Sequence, residues 1–489
     1  MSAERDDEPD AGRLPTGRLA RTARVGGLVA GQGARWAGMR AANRVRTPER
    51  AEAAERQRTA ALVDQLVTQL GQMRGAAMKV GQLISLADFD GLPEEQQDEL
   101  QRRLAALRDD VPPVPFPKLE ALLRKELGGP LSRTFAAFDE RAFAAASIGQ
   151  VHRATTVDGE EVVVKVQYPG VAEAVETDLR NAALLLPLVK RLAPGLDGRA
   201  LMGELRERIG EELDYELEAQ SQRRVERLLR GHPFARVPRV RTDLSTQRVL
   251  VSEYVEGDRF ETVRRLDEAA RDRYGEIVFR FFFGLAYRDR IALGDPHPGN
   301  YLLCRDGRVC FLDFGLLRTV PRERVAGEAA LAAAVRDRDA SALKAALTSA
   351  GYLPAARAAA VDDEWAMGAL ALATRWYARP GFRRFSPGDA RPPQERGAAG
   401  GRSRSREERA ADRAQANQFT LPPEALLLRR MHGIVAVVLG QLRAGADWGA
   451  IAAEYLHGAA ASTPLGEAEA AYVAQRSRTA SARPPTRSV

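Results

Sequence analysis

Asp295, Asn300 and Asp313 stand within "GDPHPGNYLLCRDGRVCFLDFG", residues 294–315, where Asn300 follows Asp295 by five positions and Asp313 follows Asn300 by thirteen. Two carboxylates and an amide are all oxygen donors, the ligand type that a hard cation such as Mg²⁺ takes and shares with phosphates. The spacing matters because "YLLC" and "VCFLDF" are short β-type runs on either side of "RDGR". Asp-Gly between apolar runs signals a hairpin. A hairpin returns the chain on itself, so Asn300 at its entrance and Asp313 at its exit finish near each other and are the candidate metal ligands. Asp295, just upstream, is placed to orient a hydroxyl or a water and is the candidate catalytic acceptor.

Asp-x₄-Asn, a hairpin and Asp313-Phe314-Gly315 in this order are the layout of a kinase catalytic loop followed by its metal-binding turn. That layout demands a strand lysine for the α- and β-phosphates, a glutamate to hold the lysine, and a loop over the phosphates. Lys165 follows three valines in "GEEVVVKVQYPG" and fits the strand. In the place of a glycine-rich loop the chain reads "AFAAASIGQV", with Ala144, Ala145, Ala146 and Ser147 ahead of Gly149. Alanine restricts φ and adds methyl groups where phosphates would lie, so the loop's fit to a triphosphate differs. The helical segment "AVETDLRNAALLLPLVKRLAP" separates Lys165 from any glutamate, and the candidate is then Glu212 in "GEELDYELEAQ", with Asp214 two positions on. "QRVLVSEYVEGDRF" reads as a buried strand entering a hinge, where the backbone of Glu253 and Val255 could hydrogen-bond an adenine edge.

The elements that must position these residues follow from pattern and composition. The chain has 489 residues, 45% hydrophobic and 28% charged, enough for a substantial core. Its net charge of +7 leaves 73 basic against 66 acidic residues, compatible with a nucleotide, an anionic membrane surface or an acidic partner without selecting one. Two cysteines, Cys304 and Cys310, argue against a disulfide-built domain and suit a reducing compartment. The charged start lacks an apolar signal core, and "GIVAVVLGQL" (433–442) is short for a membrane span, so a cytoplasmic protein is expected, with any membrane contact peripheral on the inner face.

Residues 1–50 read as a mostly disordered basic N-terminus and 51–115 as a helical extension. Residues 116–257 read as a small lobe with a helical insertion, and 258–385 as a helical lobe carrying the catalytic loop. The low-complexity cationic stretch 386–418 is expected to be a disordered insertion, 419–470 to return to helix, and 471–489 to be a disordered tail. The expected class is α+β: a bilobal kinase-like fold with a small β-sheet N-lobe and a helical C-lobe.

The alanine-rich loop, the delayed "EELD", "GDPHPGN", "LDFG" and "MKVGQ" at 78–82 together resemble the UbiB–AarF (ADCK-type) family of atypical kinase-like proteins. The resemblance covers roughly residues 60–385 and resumes near 419–445. It implies a kinase-like fold with an N-terminal KxGQ helical extension over the active site, ATP/ADP and Mg²⁺ binding, and ATPase or unorthodox kinase activity. It further implies support of quinone or isoprenoid-lipid biosynthesis at membranes, with lipid precursors and quinone-biosynthesis proteins as partners and no nucleic acid. By position, Lys165 and Glu212 resemble the family's ion pair and Asp214 the second acid of its ExD motif. Asp295 and Asn300 resemble the catalytic-loop residues, Asp313 the metal ligand, and Lys79 and Gln82 the KxGQ residues directed at the nucleotide. Leu293 stands where protein kinases carry the histidine of His-Arg-Asp. The high Ala and Arg content points to menaquinone as an alternative to ubiquinone.

Met73, Ala77, Val80 and Ile84 form one apolar stripe of the KxGQ helix, and Lys79 and Gln82 lie on a neighbouring polar one. On the helix pattern alone Lys79 reads as a solvated lysine beside a packing glycine, Gly81; the family resemblance implies instead that it reaches the acids Glu212, Asp214 or Asp313 and blocks general protein-kinase activity. Two other functions fit an Asp-x₄-Asn loop: a small-molecule phosphotransferase of aminoglycoside or choline kinase type, and a nucleotide-binding pseudokinase scaffold.

Overall fold

The structure is a computed structural model that describes residues 46–47, 114–146, 148–192, 198–386, 406–420 and 422–481, with a few helical positions between 50 and 68. Lys79, Gln82 and Ser147 lie outside the described residues, as does nearly all of the expected 51–115 extension. The chain divides into two units: the first holds the chain to Ala219 together with Val240–Tyr254, the second Gln220–Arg239 and everything from Val255 onward.

The first unit is built on an antiparallel sheet of β1 (Phe135–Phe138), β2 (Ala144–Ala146), β3 (Gly149–Thr156), β4 (Glu161–Gln167) and β6 (Val249–Glu253), in the order β1-β3-β4-β6 with β2 also paired to β3. The period-2 alternation of "EVVVKVQ" explains β4. Val162, Val164 and Val166 are fully buried, packing on Leu119 and Leu123 of α1 (Phe116–Glu126) and on Val249 and Val251 of β6. Lys165, one position out of phase, is carried on the other face. After β4 come α2 (Val171–Leu192), α3 (Gly198–Glu212) and the first turn of α4 (Tyr215–Leu229), the helical insertion. Val175, Leu179 and Ala182 are the buried stripe of α2, and Met202 and Ile209 that of α3.

In the second unit, α5 (Phe260–Val263) precedes α6 (Glu268–Phe283), which is capped by Asp267 accepting from the Ala270 N–H and is buried on all sides toward its end, where Phe279, Phe281, Phe282 and Phe283 surround the buried Arg280. A helix buried all round is the centre of a core. A π-helical turn, Gly284–Arg288, leads to β8 (Ile291–Leu293), which pairs with β11 (Leu317–Thr319). Between them lies the expected hairpin, β9 (Tyr301–Leu303) and β10 (Val309–Phe311), with Gly307 at φ +77° in its turn. This hairpin sits in a small sheet ordered β5 (Ala235–Arg236), β10, β9 and β7 (Asp258–Arg259). Helices α7 (Arg322–Asp337), α8 (Ala340–Ser349), α9 (Asp363–Ala378), α11 (Pro423–Leu442) and α12 (Trp448–Leu456) complete the core.

Two expectations of disorder are corrected. Residues 406–416, assigned to a disordered insertion, form α10, tied down where Trp365 donates its indole N–H to Asp412 at 2.9 Å and the Asp362 N–H donates to Gln415 at 2.9 Å. The Ala, Arg and Glu content that reads as low complexity is also strongly helix-forming. Residues 471–481, assigned to a tail, continue α13 (Pro464–Ser481), whose Tyr472 hydroxyl and Arg476 guanidinium both donate to the Leu228 carbonyl. Its Glu469 is buried among Arg280, Arg288, Tyr455 and His232.

One helix among the described residues is apolar and long enough to cross a membrane, over Ala425–Leu442, longer than the run read from the sequence. Leu428, Met431, Val435, Val438, Leu439 and Leu442 are fully buried in the second unit's core, which accounts for its hydrophobicity.

Candidate functional site

The lysine of the first unit is clamped. Lys165 Nζ lies 2.8 and 2.7 Å from the two carboxylate oxygens of Glu218 and 4.7 Å from the centroid of the Tyr215 ring. The carboxylate that closes on Lys165 is thus Glu218 of α4, and the assignment of that role to Glu212 is corrected. Glu212 is the last residue of α3, and the chain turns at Leu213-Asp214 before α4 begins. Gln167 donates its amide to the Leu213 carbonyl at 2.8 Å, and the Tyr215 N–H donates to the Gln247 carbonyl at 2.9 Å. These bonds fasten the turn to the ends of β4 and β6, so the first turn of α4 is the one that meets Lys165.

Asp214 has a separate part in this turn. Its Oδ1 accepts from the N–H groups of Glu216 at 3.0 Å and Leu217 at 3.4 Å, which is N-cap geometry. Glu218 was legible by a signal that charge counting hides. Tyr215, Glu218, Ala219, Gln222 and Val225 follow the i, i+3, i+4, i+7 pattern and are all buried, whereas Glu216 is exposed. An acid on a buried stripe requires a cation.

The alanine-rich loop is a tight hairpin. Ala144 pairs with Val151, Ala145 with Gln150 and Ala146 with Gly149. Gly149 is obligatory, because a Cβ there would stand 2.2 Å from the Val166 carbonyl oxygen and 2.9 Å from the Tyr215 hydroxyl. The loop's base is thereby pressed onto the strand of Lys165 and the helix of Glu218. At the far end of β6 the Tyr254 N–H donates to the Glu161 carbonyl at 3.0 Å. Antiparallel alternation therefore turns the backbone groups of Glu253 away from β4. Val255 opens the second unit and is buried.

In the second unit the hairpin brings Asn300 and Asp313 together. Asn300 Nδ2 donates to Asp313 Oδ2 at 3.2 Å, and the Leu312 N–H donates to the Asn300 carbonyl at 3.0 Å, extending the ladder by one rung. Asp313 Oδ1 accepts from the Gly315 N–H at 2.9 Å, which fixes the Asp-Phe-Gly turn while Phe314 is fully buried beneath it. Asp295 follows β8 after Gly294, whose N–H donates to the Leu316 carbonyl at 2.8 Å. A side chain at 294 would strike Leu427 at 2.6 Å. Arg430 of α11 reaches to 3.8 Å from Asp295, a contact from a part of the chain that the motif spacing does not reveal.

The donor set fits a hard divalent cation. Burial pushes the Tyr301 hydroxyl well above its usual range, and the nearby Tyr274, Asp295 and Asp313 push it further, so negative charge collects at this end of the hairpin. Among the described residues no three His, Cys, Asp or Glu side chains are grouped to cage an ion. A cation held by Asn300 and Asp313 would complete its shell with water and phosphate oxygens, as Mg²⁺ does.

A small antiparallel unit with a strand lysine clamped by a helical glutamate, and a helical unit with Asp-x₄-Asn and an ordered Asp-Phe-Gly turn, define a kinase-like fold. Residues 106–347 match the model of the ABC1 atypical kinase-like domain. The atypical kinase COQ8B, mitochondrial, of Rattus norvegicus is 32% identical over 315 residues, 64% of this chain and 58% of the relative. The atypical kinase COQ8, mitochondrial, of Saccharomyces cerevisiae is 30% identical over 320 residues, 64% of this chain and 62% of the relative. The solved complex of Rv3197 with erythromycin from Mycobacterium tuberculosis superposes with a TM-score of 0.60 at 30% identity, covering 83% of this chain and 98% of that one. The protein belongs to the UbiB–AarF family of atypical kinases. Its chain spans 58% and 62% of the length of the two mitochondrial relatives.

Proposed function

We propose that the protein binds Mg²⁺–ATP or Mg²⁺–ADP and works as an atypical kinase or ATPase supporting quinone or isoprenoid-lipid biosynthesis at a membrane surface. The observation that carries this reading is the pairing of Asn300 with Asp313 at the mouth of the hairpin, an all-oxygen donor pair suited to a cation that arrives with its phosphates. Bound Mg²⁺ would neutralise charge on the β- and γ-phosphate oxygens. The chain's own residues do the rest in this reading. Lys165, oriented by Glu218, contacts phosphate, and Asp295 orients the acceptor hydroxyl or a water. The hairpin of Ala144, Ala145 and Ala146 covers the phosphates, and the backbone of Glu253 and Val255 receives the adenine. Lys79 and Gln82 of the KxGQ segment occupy the space of a protein substrate, so general protein phosphorylation is suppressed. The basic segment 13–46 supplies peripheral attraction to anionic lipid.

A second reading is a small-molecule phosphotransferase. The likeness to a protein solved with erythromycin bound favours it, since an antibiotic hydroxyl is a possible acceptor. Mg²⁺-dependent ATP hydrolysis, measured alone, with anionic liposomes plus a phenolic quinone precursor, and with erythromycin, separates the two. The first reading expects stimulation by liposomes and precursor; phosphoerythromycin as the product would replace it with the second. No magnesium-dependent nucleotide binding in any arm would end both.

A further inference from the structure

Cys304 and Cys310 are the only cysteines in 489 residues, and the structure places both on the hairpin that carries Asn300 and Asp313. Cys310 pairs with Leu302 in the ladder, and the Cys304 N–H donates to the Arg308 carbonyl at 2.8 Å, which sets Cys304 opposite Arg308. Cys304 and Cys310 are therefore diagonal neighbours on one face of the hairpin, with their side chains in hydrogen-bonding contact. They form one small cluster with Val255, against which Leu302 and Leu312 pack. Cys310 is fully buried and Cys304 is 6% exposed, so Cys304 is the thiol that a small oxidant meets first. The Cys310 hydrogen bond holds Cys304 below the usual thiol range, aided by Arg236 and Arg308 and opposed by burial and Asp306. A thiolate-prone cysteine beside a resolving cysteine is the arrangement of a redox couple.

We propose that Cys304 and Cys310 form a reversible disulfide that weakens nucleotide binding by pulling on the hairpin of Asn300 and Asp313. Its effect on binding rests on the nucleotide reading above; the formation of the bond does not. With a peroxide as oxidant, the Cys304 thiolate attacks one peroxide oxygen and the O–O bond breaks. The departing hydroxide takes the proton that the Cys304 thiol gave up on ionising and leaves as water, and Cys304 becomes a sulfenic acid. Cys310 sulfur then attacks Cys304 sulfur, the S–O bond breaks, and the hydroxide takes the Cys310 proton to leave as a second water. Two thiols have lost two hydrogens and two electrons, and the peroxide has gained them.

Geometry couples this bond to the site. Diagonal partners on an antiparallel pair have Cα atoms about 7–8 Å apart, whereas a disulfide wants about 4.4–6.8 Å. Closing the bond shears the two strands by something on the order of an ångström. The rung next to the site, where the Leu312 N–H meets the Asn300 carbonyl, lies two residues beyond Cys310 and receives that shear directly. Val255, packed in the same cluster as the thiol pair, is the proposed adenine contact, so the change reaches that contact as well.

The full chain is oxidised with hydrogen peroxide, cleaved with trypsin without reductant, and mapped by mass. Arg305 and Arg308 separate the two cysteines, so an oxidised hairpin gives the Cys304 peptide joined to Val309–Arg318, lighter by two hydrogens and released by dithiothreitol. Mg²⁺–ADP affinity should fall about tenfold on oxidation and recover on reduction. The Cys310→Ala variant should give no joined peptide and keep its affinity after peroxide. Two unlinked cysteines after peroxide, or Cys304 driven to sulfinic acid without linkage, overturn the proposal; linkage with unchanged affinity overturns its regulatory half. Amide hydrogen exchange at Leu312 reads the shear without nucleotide and should speed up on linkage. If the reduced protein binds no Mg²⁺-nucleotide, the functional reading fails, while the peptide map and the exchange rate still decide the thiol pair.

Discussion

The candidate residue groups of the two units are built in opposite ways. Asn300 and Asp313 are thirteen residues apart and are joined by a hairpin whose Asp-Gly turn and three rungs lie between them. Lys165 and Glu218 are fifty-three residues apart, and two helices intervene. The hairpin's pair is fixed by local hydrogen bonds: Leu312 to Asn300, Gly315 to Asp313. The lysine's pair requires β4 to hold its register between β3 and β6, and also requires a turn pinned by Gln167 and Gln247 to present the right face of α4. A short loop closes at little entropic cost and a long one only when packing supports it. The candidate metal pair is thus a property of one segment, and the candidate phosphate-binding lysine with its clamp a property of a packed unit.

Breaking the local half should have the largest effect. Asp313→Asn keeps the acceptor for the Gly315 N–H but removes the charge proposed to face a dication. Mg²⁺–ATP affinity is expected to drop on the order of a hundredfold, about 2.8 kcal/mol, with the melting temperature of the unliganded protein little changed. Thermal-shift titration checks this: wild-type stabilisation by Mg²⁺–ATP in the variant would remove Asp313 from the metal site.

The same contrast decides what could be read from sequence. Asp295, Asn300 and Asp313 announce themselves because turn chemistry and strand alternation are local, and the hairpin stands where the spacing puts it. Lys165 is legible for a similar reason, its three preceding valines being a strand pattern. Its partner is not legible by proximity, since Glu211, Glu212, Glu216 and Glu218 all crowd one stretch. Only the burial stripe through Tyr215, Ala219 and Gln222 singles out Glu218, and that stripe depends on knowing that a new helix starts after Asp214. Arg430 and the helical ends at 406–416 and 471–481 were hidden differently: tertiary contacts to Asp295, Trp365 and Leu228 hold them, and composition carries no trace of those partners.

Sharpening the non-local half takes paired variants. Glu218→Gln removes the charge of the carboxylate that clamps Lys165, in a setting where the glutamate is buried and the lysine is three-quarters buried. Lysine orientation is lost and nucleotide affinity should weaken about tenfold. Glu212→Gln, at the end of α3, should weaken affinity less than Glu218→Gln does, because the Lys165 clamp stays intact. Fluorescent-nucleotide titration of both variants compares them directly. A reversed order would return the clamp to Glu212 and mean that Glu218 is only a buried acid of α4.

The smallest effect separates a cap from a catalyst. Asp214 accepts two N–H groups at the start of α4, and the family resemblance implies a place for it in an ExD motif. If capping is its work, Asp214→Ala costs about 1 kcal/mol of stability, read as a lower urea midpoint with unchanged slope. Asp214→Asn or Asp214→Ser, which retain a capping oxygen, should restore most of that loss, because an uncharged acceptor serves the N–H groups nearly as well. ATP turnover should follow stability through the three variants. A catalytic carboxylate behaves otherwise: asparagine and serine would rescue the midpoint and leave turnover at the alanine level. That outcome would give the α3–α4 turn a chemical role of its own and narrow the difference between the two units, since the unit of Lys165 would then hold a locally encoded functional acid as the hairpin is proposed to do.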